Sequence, residues 1–262
     1  MLFFTTQIVC AQNANTLIQA EKSFAHMAVD KSLRSAFLHN LDSSGLVFKE
    51  GKIINGLQQF SAAKESSIKL IWQPAYACMA SSGDIGFTTG PYEIRKAMDS
   101  AVLAAGQYSS VWKKNAQGEW KLLVDLGIDF KTSLFGQSAN TTSFPGALIA
   151  DKKTTDLAMV ETAFLRTYAE KGVAAFDAVV QEGSWFNLQG HHPYTSVASI
   201  QQALREIPAA LVFKPVGIGW SSSHDMIYVY GDVEAGSKQE NYLRVWVRTA
   251  KGWQILLQVI RR

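Results

Sequence analysis

The chain repeats itself, and that repeat limits its folds more than any other feature. The segment PAYACMASSGDIGFTTGPYEI, starting at Pro74, returns 141 residues later as PVGIGWSSSHDMIYVYGDVEA, starting at Pro215. At that one offset Leu70 falls over Leu211, Trp72 over Phe213, Pro74 over Pro215, Ser81 and Ser82 over Ser222 and Ser223, Asp84 over Asp225, Gly90 over Gly231 and Glu93 over Glu234. Further on, YSSVW (Tyr108–Trp112) matches YLRVW (Tyr242–Trp246) at 134 residues. Upstream, EKSF (Glu21–Phe24) matches ETAF (Glu161–Phe164) at 140, and Gly45 and Phe48 match Gly183 and Phe186 at 138. Small changes of offset between matched blocks are what loop insertions produce. The chain therefore reads as two similar domains in tandem, over residues 14–130 and 153–262, each of ordinary domain size.

Within a copy, helices come first. Leu17, Phe24, Met27, Ala28, Leu33, Ala36 and Phe37 recur at helical spacing, which predicts one long or broken amphipathic helix over Ala14–Leu41. A short strand over Leu46–Phe48 and a second helix over Gly56–Ser67 follow. From Ile68 the pattern turns strand-like, with turns at SSGD, near Gly106 and at NAQG. Helices followed by an antiparallel meander give an α+β layout whose sheet buries one face against the helices. Residues 131–152, rich in Ser, Thr, Asn, Gly and Pro, read as a linker.

A hydrophobic fraction of 47% with a net charge of +3 describes a folded globular protein without the basic runs that nucleic acid requires. No window is apolar over enough residues to span a membrane. The first eleven residues, MLFFTTQIVCA, are similar to the apolar part of a secretory signal ending in the small-residue site Val9-Cys10-Ala11, but lack its basic start. The expectation is a truncated signal peptide and leader over residues 1–13, hence a periplasmic or secreted protein, with Cys78 left as its one thiol.

The runs SSGDIGFTTGPYEI and GQYSSVWKKNAQGEWKLLVDLGI resemble the SnoaL-like branch of the nuclear transport factor two-like superfamily, in particular its little-characterised bacterial members. The similarity spans nearly all of the first copy. It thins in the second, where GDIG and DLG are lost. The resemblance implies two cone-shaped domains, each a curved antiparallel sheet wrapped around N-terminal helices with an apolar cavity at the wide end. It also implies that related enzymes place His or Asp into the cavity from the last strand.

Strict strand alternation would turn Trp120, Leu122, Val124 and Leu126 toward that cavity and Asp125 away from it, leaving no base there. Asp84 and Asp225, each beside Ser in a turn, read as acceptors of local backbone N–H groups. Trp112 and Trp246 read as core. The aromatics Trp72, Tyr76, Tyr108, Tyr168, Tyr228 and Tyr242 are the candidate ligand-binding residues, because Tyr and Trp join a large apolar body to a polar tip. His26, Tyr76 and Tyr108 are the candidates for acid–base catalysis. His191, His192 and His224 lack the spacing of a metal motif, and no phosphate loop or nucleophile elbow is present. No cofactor is expected. The reading is a non-catalytic protein that binds a small apolar or aromatic molecule; the alternatives are an isomerase, cyclase or dehydratase of the same superfamily and an interaction module. The two domains are expected to pack as an intramolecular pseudo-dimer, with a homo-oligomer as a further option.

Overall fold

The computed structural model describes residues 14–137, 140–151, 153, 156–207 and 211–261. The expected leader therefore lies outside the described residues. The first half comprises α1 (Asn15–Asp30), α2 (Leu33–Asn40), β1 (Leu41–Lys49), β2 (Lys52–Asn55), α3 (Gly56–Ala62), β3 (Lys69–Trp72), β4 (Tyr76–Met79), β5 (Ile85–Arg95), β6 (Val102–Lys114) and β7 (Trp120–Phe130). A two-residue strand, β8 (Thr142–Ser143), lies in the expected linker. The second half comprises α4 (Ala158–Lys171), a 3-10 turn (Gly172–Ala178), β9 (Val180–Leu188), α5 (Val197–Arg205), β10 (Val212–Trp220), β11 (Met226–Ala235), β12 (Lys238–Thr249) and β13 (Gly252–Ile260).

The expected long helix is a broken one. Ser32, in extended backbone, caps α2 by accepting the Ser35 N–H (3.1 Å), so the chain turns between α1 and α2 instead of continuing straight. Each half then builds a meander of the same order, which the first half extends with β2 and β8. The first runs β2-β1-β7-β6-β5-β4-β8 with β3 also on β5; the second runs β10-β11-β12-β13-β9. The meanders are antiparallel, and the strand that follows the helices joins the last meander strand in parallel, β1 on β7 and β9 on β13.

The matched Pro and Gly mark a bend. Pro74 separates β3 from β4, and Pro215 sits at the register break of β10. The facing strand comes so close there that a Cβ on Gly90 would lie 1.9 Å from the Gln73 carbonyl oxygen, and one on Gly231 2.2 Å from that of Lys214. Only glycine permits that approach, and the bend curls each sheet around its helices.

Each sheet has two buried faces. The concave face of the first packs against α1, α2 and α3 through Leu17, Phe24, Phe37, Trp72, Trp112 and Leu122. The concave face of the second packs against α4, the 3-10 turn and α5 through Phe164, Phe176, Phe186, Phe213 and Trp246. The two convex faces meet in a shared core that includes Phe87, Val111, Val124 and Leu126 from one half and Leu243, Val245, Leu257 and Val259 from the other. The intramolecular pseudo-dimer is thus two cones packed back to back.

The duplicated turns clasp each other at this seam. A carboxylate oxygen of Asp225 accepts the Ser81 N–H (3.1 Å), one of Asp84 accepts the Ser222 N–H (3.0 Å), and the Ser82 and Ser223 hydroxyls meet at 2.9 Å. The Ser82–Ser223 contact joins residues 141 apart, and the same offset exchanges the other two, since Ser81 matches Ser222 and Asp84 matches Asp225. The acids in the repeated turns are acceptors of backbone N–H groups, and the groups come from the opposite copy. Burial pulls Asp84 upward, but hydrogen bonds from Ser82 and Ser222 outweigh it and hold its carboxyl below the usual range.

The segment read as a linker is held along the same seam. β8 adds to the edge of β4, Ile149 donates its N–H to the Arg248 carbonyl (2.8 Å), and Asp151 pairs with Arg248 (3.1 Å).

Candidate functional site

The site grows from a β-bulge. Val111 pairs with Val124, but Trp112 pairs with Leu122, so Leu123 is an extra residue on β7. One inserted residue reverses the alternation beyond it. Leu122 faces the concave side, and after the bulge Asp125, Gly127 and Asp129 take that side while Val124, Leu126 and Ile128 turn into the shared core. This corrects the simple alternation, which put Val124 and Leu126 in the cavity and Asp125 outside it. The bulge is itself repeated: Val245 pairs with Leu257 and Trp246 with Ile255, so Leu256 is the extra residue and Gln258 shares the concave side with Arg244.

A cavity of about 240 Å³ opens in the first cone, with Phe24, Trp72, Tyr92, Tyr108, Ser110 and Asp125 among its walls. Ser110 donates to Asp125 (2.9 Å). Burial pushes the Asp125 carboxyl up to about 6. The Tyr108 hydroxyl, on a side chain only 7% exposed, has no hydrogen-bond partner among the described residues. At the mouth lie Asp129, which accepts the Tyr92 hydroxyl, and Arg261, which the second half contributes.

Behind Trp72 stands a second acid. Glu21 is on the inward face of α1 with Leu17, Phe24, Ala25 and Ala28, and is fully buried. Its carboxylate accepts the indole N–H groups of Trp72 (2.6 Å) and Trp112 (2.9 Å) and the Thr88 hydroxyl (2.5 Å). All three donors are neutral. Desolvation dominates and raises the Glu21 carboxyl from the ordinary 4.5 to about 7.

The second cone resolves the same problem with a cation. Its matched acid, Glu161, accepts the Trp246 indole N–H (2.8 Å) and pairs with Arg244 (2.5 Å), whose guanidinium also donates to Gln258 (2.6 Å). Arg244 is 0% exposed, and its guanidinium carbon lies 4.4 Å from the Phe164 ring, 4.7 Å from Phe213 and 5.3 Å from Tyr242. Arg244 is the residue matched to Ser110. One side chain therefore fills in the second cone the place that stands open in the first.

Of the residues singled out from the sequence, Trp72 and Tyr108 line the first cavity. Tyr76 does not: it faces the shared core, donates its hydroxyl to the Gly183 carbonyl (2.7 Å) and stacks on Trp185. Tyr228 also packs against the shared core. Tyr168 and Tyr242 are buried in the packed core of the second cone, Tyr168 accepting the Leu211 N–H (3.3 Å). His26 is exposed on the outer face of α1, because two residues along a helix from inward-facing Phe24 point nearly the opposite way. His191 contacts Tyr194 and His192 the Thr132 carbonyl, and no group of three potential metal ligands occurs among the described residues. Sequence reasoning missed Glu21, Ser110 and Asp125 as site residues. The match of EKSF to ETAF and the Ser-for-Arg difference between YSSVW and YLRVW carried that signal.

No family model matches the chain, and no curated protein matches it. Solved structures are similar to parts of it. A ketosteroid isomerase-like protein from Erwinia carotovora atroseptica aligns over 46% of this chain and 99% of its own, at 14% identity and a TM-score of 0.36. An NTF-2 like protein of unknown function from Shewanella oneidensis aligns over 44% and 97%, at 16% identity and a TM-score of 0.35. A cystatin-like-fold protein of unknown function from Nostoc punctiforme aligns over 45% and 92%, at 16% identity and a TM-score of 0.36.

Proposed function

We propose that the protein is a small-molecule receptor with one working cone, the first, and that the second cone is a closed structural partner. The observation that carries this reading is the pair Ser110 and Arg244: matched positions in matched sheets, one beside an open cavity, the other filling it. The cavity suits a small molecule because aromatic walls surround a few convergent polar groups. Trp72 and Tyr108 supply apolar area, Ser110 and Asp125 supply polar groups, and Arg261 makes the mouth dependent on the second half. Export to the cell envelope belongs to the same proposal. Fractionation of the producing cells tests it, and retention in the cytoplasm would remove it.

Native mass spectrometry of freshly purified protein tests the receptor reading. The expected result is one retained small molecule per chain, lost in Gly127→Leu. A Cβ at Gly127 meets only ordinary contacts, with Tyr92 at 3.5 Å, so the larger side chain fills the cavity without a backbone clash. Two adducts per chain, or an adduct unaffected by Gly127→Leu, would refute a single site in the first cone.

One observation favours a second reading, an isomerase or lyase that moves a proton. Asp125 lies in the cavity with its carboxyl raised to about 6, within the range a general base needs. Asp125→Asn would then abolish turnover while ligand retention survived.

A further inference from the structure

Resting on the receptor reading, we infer that the first cone takes a small organic cation, a guanidinium or ammonium group carried on an apolar body. The protein holds its own example of the bound state. In the second cone the Arg244 guanidinium lies between Glu161 of α4 and Gln258 of β13 (2.5 and 2.6 Å). Around it stand Phe164, Phe213, Tyr242, Phe176 and Trp246, with ring centres 4.4 to 6.0 Å from the guanidinium carbon. This is the geometry in which a cation gains from aromatic faces as well as from its counter-charge.

The first cone carries a matched residue for each wall of that cage, and Phe24, Phe37, Trp72 and Tyr108 line its cavity. Phe24 stands for Phe164, Trp72 for Phe213, Tyr108 for Tyr242 and Trp112 for Trp246 by the sequence match. Phe37 packs edge-on against Phe24 at 4.9 Å as Phe176 does against Phe164 at 5.0 Å. Glu21 stands for Glu161, and Asp125 replaces neutral Gln258, so the cage gains a negative charge. Only the cation is missing, because Ser110 stands where Arg244 does. Tyr108 lines the same space with its side chain.

The charged and titratable groups around the space are Asp125 and Asp129 of β7, Tyr92 of β5, Tyr108 of β6 and Arg261, with Glu21 of α1 behind Trp72. Acids outnumber bases. Burial raises the carboxyls of Glu21 and Asp125 to about 7 and about 6, as expected of acids enclosed without a counter-ion. A bound cation favours their ionised forms and so releases protons. An anionic ligand would meet like charge in a place shielded from water.

Calorimetric titration with four probes sharing one aromatic body, benzylammonium, phenylguanidinium, benzyl alcohol and benzoate, tests the inference on the full chain at pH 7.5. The expected result is one cation bound per chain, with benzyl alcohol and benzoate weaker by at least tenfold. Affinity for the cations should rise between pH 5 and 8, with proton release on binding. Asp125→Asn should weaken cation binding at least tenfold and leave benzyl alcohol unaffected. Ser110→Arg, which transplants the plug of the second cone, should abolish cation binding while circular dichroism stays unchanged. Benzyl alcohol binding as tightly as benzylammonium, or cation affinity indifferent to Asp125→Asn, overturns the cation assignment and leaves the receptor reading standing. Failure of all four probes, together with no retained mass in native spectrometry, overturns both.

Discussion

Glu21 offers the sharpest quantitative test, because its environment lacks a cation and its matched residue has one. The perturbation is Glu21→Gln, which keeps the shape and removes the titration. In the folded protein the carboxyl is raised from 4.5 to about 7. At about 1.4 kcal/mol per pH unit of displacement, that amounts to about 3 kcal/mol. The sign follows from proton counting. Between pH 4.5 and 7 the folded state holds a proton that the unfolded state has released, so stability is greatest below 4.5 and falls as pH rises to 7. Asp125, raised in the same direction, adds its own decline to both proteins and largely cancels in the difference. Glu21→Gln also turns an amide N–H toward one of the donors Trp72, Trp112 or Thr88, a penalty of about 1–3 kcal/mol that does not vary with pH. The readout is therefore the slope and not the absolute stability. Urea unfolding of ligand-free protein at pH 4.5 and 8, followed by tryptophan fluorescence and circular dichroism, measures it. The difference between wild type and Glu21→Gln should shrink by about 3 kcal/mol across that interval. A change below about 1 kcal/mol, or one of opposite sign, would refute the claim that an uncompensated acid lies in this core.

Arg244→Met should cost about 3–5 kcal/mol in urea unfolding, because it strands the buried charge of Glu161, and Arg244→Met with Glu161→Gln should regain most of that loss. Asp225→Ala should destabilise by about 2–4 kcal/mol, since it orphans buried donors on Ser81, Ser221 and Ser223, whereas Asp84→Ala, at the more exposed end of the clasp, should cost less by the same measurement. Cys78, buried and with its thiol raised far above the ordinary range by desolvation, should react with a thiol reagent only at the rate of unfolding; rapid labelling of native protein at this residue would contradict the packing of the shared core.

Much of the architecture was legible because the repeat constrained it. Pro74 and Pro215, Gly90 and Gly231, and the two Ser-Ser-x-Asp turns all sit at one offset, and each proves to be a bend or a clasp used twice. The site was less legible, for two physical reasons. A period-two pattern assigns residues to faces only while the ladder is regular, and Leu123 breaks it just before Asp125. Both faces of each sheet are also buried, one on helices and one on the other sheet, so apolar content alone could not say whether Tyr76 or Tyr108 faced the cavity. His26 failed for a simpler reason: inward-facing positions Glu21, Phe24, Ala25 and Ala28 define the helix face, and His26 is not on it.

The two cones pose one electrostatic problem and answer it differently. A carboxylate in the core of a cone is costly unless something offsets its lost hydration. Glu161 is offset within the chain by Arg244, and the aromatic cage closes around the pair. Among the described residues Glu21 receives only neutral N–H and O–H donors, and Asp125 adds a second acid beside open space. Packing alone does not require that arrangement, because an arginine at position 110 would reproduce the sibling cone. An acid left uncompensated beside a cavity makes the cone less stable empty than filled, which is the thermodynamic condition for a ligand to stabilise the fold as it binds. The same condition makes the second cone a poor receptor: a ligand there must first displace a guanidinium that is ion-paired, hydrogen-bonded and ringed by aromatic faces. The duplication thus keeps the scaffold symmetric while two matched positions, Ser110 against Arg244 and Asp125 against Gln258, separate the cone that stands open from the one that is filled.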